Sequence, residues 1–375
     1  MKYKLYRPKD LSTEQWQIYA ALRDARAIYD DPFFDPDFAR LVGEVREDTR
    51  IGFASDRNGV FAVWPMHIRP GNWARPIGAP FSDWNGPILS ADTALSAQEI
   101  LAGFEVSGFT TQGFMPGSVA KTNDLKRVGA NISDLSAGWD KYISIQQAHW
   151  PKHFKKMRRI YRKIERDLGD FTFVWRDTSD AAFETTLKWK REQFARTGYF
   201  DVLNAAWTRD LLDRLRGFEG PRLKARLSTL SFGDSLGAAE FNLQSDTILH
   251  GWITSFDQNY RSYSPGNILL QQLLEAMPQE GLTSYDAGPG HDHYKRHYAN
   301  QQMPIESGVI IGDTQSLRPA RLAGKVWRFG EQVMPGKASS IMARARRRMD
   351  QIAAVDTTLS GRANGFVNAL QNRPV

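Results

Sequence analysis

The stretch Ser255-Phe256-Asp257-Gln258-Asn259-Tyr260-Arg261-Ser262-Tyr263-Ser264-Pro265-Gly266-Asn267-Ile268-Leu269-Leu270 decides the fold. Upstream of it, Thr247-Ile248-Leu249-His250-Gly251-Trp252-Ile253-Thr254 is rich in β-branched and aromatic residues and reads as a strand. Downstream, Ile268, Leu269, Gln272, Leu273 and Ala276 fall near helical spacing, which predicts a helix from Asn267 toward Met277. Ser264 is a natural N-cap. Pro265 suits the first helical position, where its missing N–H would be an orphan anyway. Gly266 leaves the first-turn amides uncovered by any Cβ. Bare amides at the positive end of a helix dipole make a seat for a phosphate or pyrophosphate. The same turn also serves as an ordinary capped helix start, so its surroundings decide.

Working outward, the second half alternates strands and helices in a definite order. A basic helix from about Trp150 to Leu168 is followed by a strand at Phe171–Trp175 and helices at 178–197 and 208–215. Three strands then form a meander, at 222–230, 236–243 and 248–254. After the turn and its helix come a short strand at 283–288, a His-rich helix at 291–298 and a last strand at 305–311. A meander feeding one ligand-binding helix predicts an α+β fold and not a doubly wound sheet. Residues 1 to about 140 mix short helices with strands such as Gly59–Met66, entered through the turn Asp56-Arg57-Asn58-Gly59. The loop from Pro70 to Pro87 is dense in Gly, Pro and Trp; it reads as a ligand groove or as Trp packed under a loop.

Composition sets outer bounds. At 375 residues the chain is long enough for two domains. With no cysteine, disulfides, thiolate metal sites and a covalent Cys acyl-enzyme are excluded. The first residues, Met1-Lys2-Tyr3-Lys4-Leu5-Tyr6-Arg7, hold no apolar run, and no stretch is long enough to cross a bilayer, so the expected location is cytoplasmic. The net charge of +7 gathers at Lys152–Lys163 and at Arg344-Ala345-Arg346-Arg347-Arg348. Such runs suit phosphate-bearing ligands or anionic lipid, and equally a solvated helix face. No recognition-helix or zinc motif accompanies the charge, so DNA is not an expected partner.

An ordered set of residues resembles the GNAT-type acyltransferases of the CelD/BcsL polysaccharide-biosynthesis group, relatives of the FemAB-like transferases. The set runs through Phe154-Lys155-Lys156-Met157-Arg158-Arg159, Lys188-Trp189-Lys190-Arg191-Glu192-Gln193-Phe194, Leu236-Gly237-Ala238-Ala239 and Phe256-Asp257. It continues with Tyr263-Ser264-Pro265-Gly266, Tyr285-Asp286-Ala287-Gly288, Gly290 and Tyr294-Lys295. The resemblance implies a tandem GNAT-like fold: largely antiparallel mixed sheets flanked by helices. Its parts would be a degenerate first domain at 1–145, the acyltransferase domain at 146–315 and a basic helical tail at 316–375. It implies acetyl-CoA or another acyl-CoA as donor, seated by Arg261, Tyr263, Ser264, Pro265, Gly266, Asn267 and Ile268, with Ser264 where the family usually has glycine.

Transfer in this group is direct: an amine attacks the thioester. That requires a base, an oxyanion donor and an acid for the departing thiolate. Asp286 is the first candidate for the base, with His250 second; Tyr294 is the acid by resemblance, and backbone near Gly251 or Trp252 the oxyanion donor. Lys155, Arg158, Trp189, Glu240, His291 and Lys295 are candidates for contacting the acceptor. That acceptor is expected to be an amino sugar of an exopolysaccharide, of a holdfast-like adhesin or of a lipid-linked glycan precursor. His291, His293 and His297 lack a carboxylate or cysteine to complete a metal pattern, so no metal is expected. Arg344, Arg346, Arg347 and Arg348 are candidates for an anionic membrane surface, peripheral at the inner face, or for a regulatory nucleotide such as cyclic di-GMP. Two alternatives stand beside this reading: an aminoacyl-tRNA-dependent transferase of the FemAB kind, and a non-catalytic nucleotide-responsive or membrane-docked effector.

Overall fold

The computed structural model of the chain describes residues 1–115, 125–289, 295–312, 351–356, 358 and 361. Its strands are β1 (Lys2–Tyr6), β2 (Thr49–Asp56), β3 (Gly59–Arg69), β4 (Trp73–Pro76), β5 (Ile88–Leu89), β6 (Gly108–Phe114) and β7 (Lys126–Asp134). Then follow β8 (Phe171–Val174), β9 (Lys224–Phe232), β10 (Ser235–Gln244), β11 (Ile248–Phe256), β12 (Ser284–Pro289) and β13 (Gln301–Ile311). The helices are α1 (Thr13–Asp24), α2 (Pro36–Val45), α3 (Ala97–Gly103), α4 (Trp139–His149), α5 (Pro151–Asp167), α6 (Asp180–Thr197), α7 (Ala206–Arg216), α8 (Pro265–Ala276) and α9 (Lys295–Tyr298).

All the described strands join one sheet in the order β1-β2-β3-β4-β6-β13-β7-β12-β11-β10-β9-β8, with β5 paired to β3. Read from either end the order is the same motif: four strands of a meander, then one parallel partner, then a strand borrowed from the other half. Between named strands only β4/β6 and β11/β12 pair in parallel, among the described residues. The borrowing is reciprocal. β7, encoded in the first half, pairs with β12 of the second, while β13, encoded in the second, pairs with β6 of the first and with β7. The expected boundary near 145 therefore does not divide the sheet.

Helices cover both faces. α5 buries Phe154, Met157, Ile160 and Ile164, spaced three or four residues apart on one stripe, and leaves its basic residues in water. α8 buries Ile268, Leu269, Leu270, Leu273 and Leu274 in the same core cluster. Each such side chain contributes roughly 1.5–3 kcal/mol of transfer free energy. On the opposite face a second cluster draws on both halves, joining Phe33, Phe34 and Phe38 to Phe183, Leu187, Leu211, Phe241 and Ile253. α1 opens on a capping box formed by Ser12 and Gln15. The tryptophan loop belongs to the core more than to a groove, with Trp84 1% exposed and Trp73 donating to Thr110 Oγ1 at 2.8 Å.

Within the tail expected to be helical, residues 351–355 are helical, with Ile352, Ala354 and Val355 buried. Its carbonyls are gripped from both halves. Arg46 donates to Ala354 O at 3.0 Å, Arg69 to Ala353 O and Asp356 O, and Trp207 Nε1 to Val355 O at 3.0 Å. Arginines at the C-terminal end of a helix satisfy carbonyls that have no intrahelical partner. Arg344, Arg346, Arg347 and Arg348 lie outside the described residues.

Candidate active site

The parallel pair β11/β12 is short. It runs Ile248↔Ser284, Leu249↔Tyr285, His250↔Asp286 and stops. Beyond that vertex β11 continues to Phe256 against β10, while β12 shifts register and leaves toward Ala130 of β7. The strands thus open into a wedge. A bulge sits at its mouth: Asn242 faces Gly251 and Phe241 faces Ile253, so Trp252 is the extra residue. Gly251 is required there. A Cβ would lie 2.1 Å from Tyr285 Oη and 3.1 Å from Glu240 Oε1. Glu240, a candidate for contacting the acceptor, is only 2% exposed. It accepts from Tyr285 Oη at 2.8 Å and Thr254 Oγ1 at 2.6 Å. Burial pushes its carboxyl up, against those two hydrogen bonds and the charges of Lys295 and Lys190. Lys190 and Lys295 reach the two arms of the wedge, donating to Thr254 O at 3.2 Å and to Ala287 O at 2.8 Å.

The turn beyond β11 is the one read from sequence, with one correction. Gln258–Tyr263 is a 3₁₀ helix, and Ser264 is the N-cap residue of α8 but in the left-handed region (φ 51°, ψ 50°), so its hydroxyl makes no cap. The usual glycine of the family frame explains the conformation: this position turns left-handed, where glycine has no Cβ penalty. Ser264 O instead accepts from Asn267 N (3.0 Å) and Ile268 N (3.3 Å). Pro265 has no N–H, and the Gly266 N–H has no partner among the described residues. The corner is not plugged: a Cβ on Gly266 would meet only Phe256 Cδ1, at 3.9 Å. Of the expected donor contacts, Arg261 is exposed and Tyr263 and Asn267 half-buried at this corner, while Pro265 and Ile268 are buried and serve the core. Lys163 of α5 donates to Ser262 Oγ at 3.3 Å and lies over the Tyr263 ring at 4.1 Å. The exposed basic face of α5, including Lys155 and Arg158, therefore adjoins the open turn. Trp189 is half-buried on α6, and His291 and Tyr294 lie outside the described residues. Two surface clefts of about 470 and 460 Å³, against α6 and α7, are lined by ion-paired side chains and lie away from this corner.

At the vertex the first half enters. His250 is 0% exposed and Asp286 3%. Asp31 comes from the turn before Phe33, and Asp83 and Trp84 from the loop after β4. His250 Nε2 lies 3.1 Å from Asp83 Oδ2, and Nδ1 lies 3.4 Å from Asp31 Oδ2 and 3.6 Å from Asp286 Oδ2. Trp84 Nε1 donates to Asp286 Oδ2, Gly288 N to Asp286 Oδ1 at 2.6 Å, and Phe33 N to Asp31 Oδ1 at 3.0 Å. Burial alone would keep the imidazole neutral, but the Asp286, Asp31 and Asp83 carboxylates outweigh it and hold His250 well above its ordinary value. Burial pushes Asp31 up, opposed by His250. Asp83, with its side chain 34% exposed, links this buried set to solvent. Phe33 packs edge-on against the His250 ring (4.9 Å), and Trp252 donates to Phe81 O at 2.9 Å, closing the wall.

The equivalent wedge of the first half is filled by its own chain. Where β4 leaves β6, Asn85 takes its place as a parallel bridge to Phe114: Asn85 N donates to Gly113 O and Met115 N to Asn85 O, both at 2.9 Å. A Cβ on Gly113 would lie 1.6 Å from Asp83 O. The plug anchors the loop that carries Asp83 and Trp84 across to His250. Sequence reading missed Asp31, Asp83 and Trp84, because their partners lie some 170 to 260 positions away along the chain; the Pro/Trp-rich loop was the only signal.

Residues 151–296, within the second half, match the family model for an acetyltransferase (GNAT) domain. No curated protein matches the chain. Among solved structures, FemX aligns at TM-score 0.52 and 10% identity, over 85% of this chain and 99% of that one. The C-terminal domain (DUF2156) of a protein described as a lysylphosphatidylglycerol synthetase, from Agrobacterium fabrum, aligns at 0.51 and 12%, over 84% and 97%. These likenesses show the fold: a tandem GNAT, FemX-like α+β sheet flanked by helices, as the sequence led us to expect. No described helix is long and apolar enough to cross a membrane.

Proposed function

We propose that the chain is an acyl-CoA-dependent N-acyltransferase, with acetyl-CoA the first donor to try and an amino sugar of an exopolysaccharide or its lipid-linked precursor as acceptor. The observation that carries this reading is the β11/β12 wedge opening at His250↔Asp286 beside a helix start whose Gly266 amide is bare. The bare turn would hold the diphosphate of an acyl-CoA, and the bulged backbone at Gly251 and Trp252 would offer N–H groups to the oxyanion. Asp286 and His250, favoured from sequence as bases, are walled in by protein, so the amine proton passes to Asp83, the member of the set that reaches solvent. His250 then acts as a positioning residue, donating Nε2–H to Asp83. Tyr294 keeps the role of acid implied by the family frame, and Lys295 and Glu240 line the wedge.

A second reading rests on the exposed basic face of α5 beside the donor turn, which suits the phosphates of an aminoacyl-tRNA. Calorimetry with acetyl-CoA tests the two. Saturable heat that disappears on charge reversal at Lys163 supports the first reading; no heat, with tRNA-dependent transfer to an amine, replaces it by the second. Membrane or cyclic-dinucleotide regulation through Arg344–Arg348 would be added to either.

A further inference from the structure

We infer that Asp31, His250 and Asp286 form a binding site for a divalent transition-metal ion, with zinc the best fit, at the junction of the two halves. Their three donor atoms, one from each side chain, lie within 4.8 Å of one another, and all three residues are buried. Tetrahedral bonds of roughly 2.0–2.2 Å to N and O ligands put neighbouring donors about 3.3–3.6 Å apart. The two His250 Nδ1 separations, 3.4 Å to Asp31 and 3.6 Å to Asp286, fall in that range. They are long for hydrogen bonds, and His250 Nδ1 and Asp31 Oδ2 are both buried with no hydrogen-bond partner. The two atoms meet each other only in a long ion-pair contact, and a cation between them would replace that contact with direct bonds to both.

The outer contacts have the form metal sites require. A ligating histidine gives its second ring N–H to a carboxylate, and here Nε2 faces Asp83 Oδ2 at 3.1 Å. Asp31 and Asp286 are fixed through their other contacts by Phe33 N, Gly288 N and Trp84 Nε1. Binding takes the proton from His250 Nδ1 and releases it to solvent. A neutral imidazole, two carboxylates and a dication leave no net charge in the cavity. The ion sits behind Asp83, so it orients that carboxylate while the proposed transfer proceeds without contact to the metal. The sequence considered a metal only at His291, His293 and His297, because the ligands here are dispersed over residues 31 to 286.

The test is a metal inventory of the full chain by plasma mass spectrometry, followed by Zn²⁺ titration of the chelator-stripped protein. One equivalent, retained through dialysis, is expected. Asp31→Asn should abolish tight binding, and Asp83→Asn should weaken it about 10- to 100-fold. Co²⁺ added to the stripped wild-type protein, with water as the fourth ligand beside the three side chains, should give the strong visible absorption of a four-coordinate ion, a readout independent of whether variants fold. Absence of stoichiometric Zn²⁺ binding overturns the inference, as does affinity unchanged in His250→Gln. Either failure leaves acetyl-CoA calorimetry, and so the transferase reading, untouched.

Discussion

Gly266→Val separates folding from donor binding at one atom's distance. The new Cβ would meet only Phe256 Cδ1, at 3.9 Å, among the described residues. No positive φ forces a glycine at this position. Helix propensity favours valine over glycine by a few tenths of a kcal/mol, so the melting temperature should hold or rise slightly. The same side chain would stand over the bare amide on which a pyrophosphate is proposed to rest. Losing a hydrogen bond to a charged group costs about 1.5–3 kcal/mol, roughly 10- to 150-fold in Kd. The assay is paired: thermal unfolding, and acetyl-CoA calorimetry on the same preparation. Undiminished affinity in a folded Gly266→Val protein would refute the placement of the donor at this turn.

Asp83→Asn should lower turnover about 10²- to 10⁴-fold with donor affinity unchanged, measured by steady-state kinetics against calorimetry; full activity would return the base to another group. Gly251→Ala should destabilise by about 1–3 kcal/mol in urea, because its Cβ collides with Tyr285. Adding Tyr285→Phe should recover part of that loss, since the hydroxyl is the nearest atom. His67 gives a pH prediction. Its Nε2 accepts from Gly78 N at 2.9 Å, which demands a neutral ring, and its Nδ1 lies 3.1 Å from Asp48 Oδ1. Burial, with Arg46, pushes it down to about 4. A folded value below the unfolded one means stability is full above about pH 6.5 and falls as the pH drops toward 4, by about 3 kcal/mol. Wild type should therefore lose that much more than His67→Gln between pH 7 and 4 in urea titrations; parallel curves would exclude the mechanism.

The second half was legible because its signals are local. The β11–turn–α8 run, the three-strand meander and the amphipathic stripe of α5 each lie within a window where periodicity and turn chemistry speak. The vertex was half legible: His250 and Asp286 could be picked out by strand ends and glycines, but not their depth. Asp31 was invisible, and Asp83 and Trp84 were signalled only by the Pro/Trp-rich loop, since nothing near them in sequence points to His250. Ser264 was misread for a local reason: capping by a serine hydroxyl needs an extended backbone, and here, after the 3₁₀ turn, the backbone is left-handed. The depth of Glu240 was not legible either, because its partners Tyr285 and Thr254 reach it from β12 and β11.

The traded strands impose a timetable on biosynthesis. β6 and β7 flank a gap that β13, the last of the described strands in chain order, fills, so the middle of the sheet is completed last. Until then the emerging first half carries two unsatisfied edges, which invite mispairing. A gene fragment ending near residue 300 should yield insoluble product even though every side chain of the vertex is present.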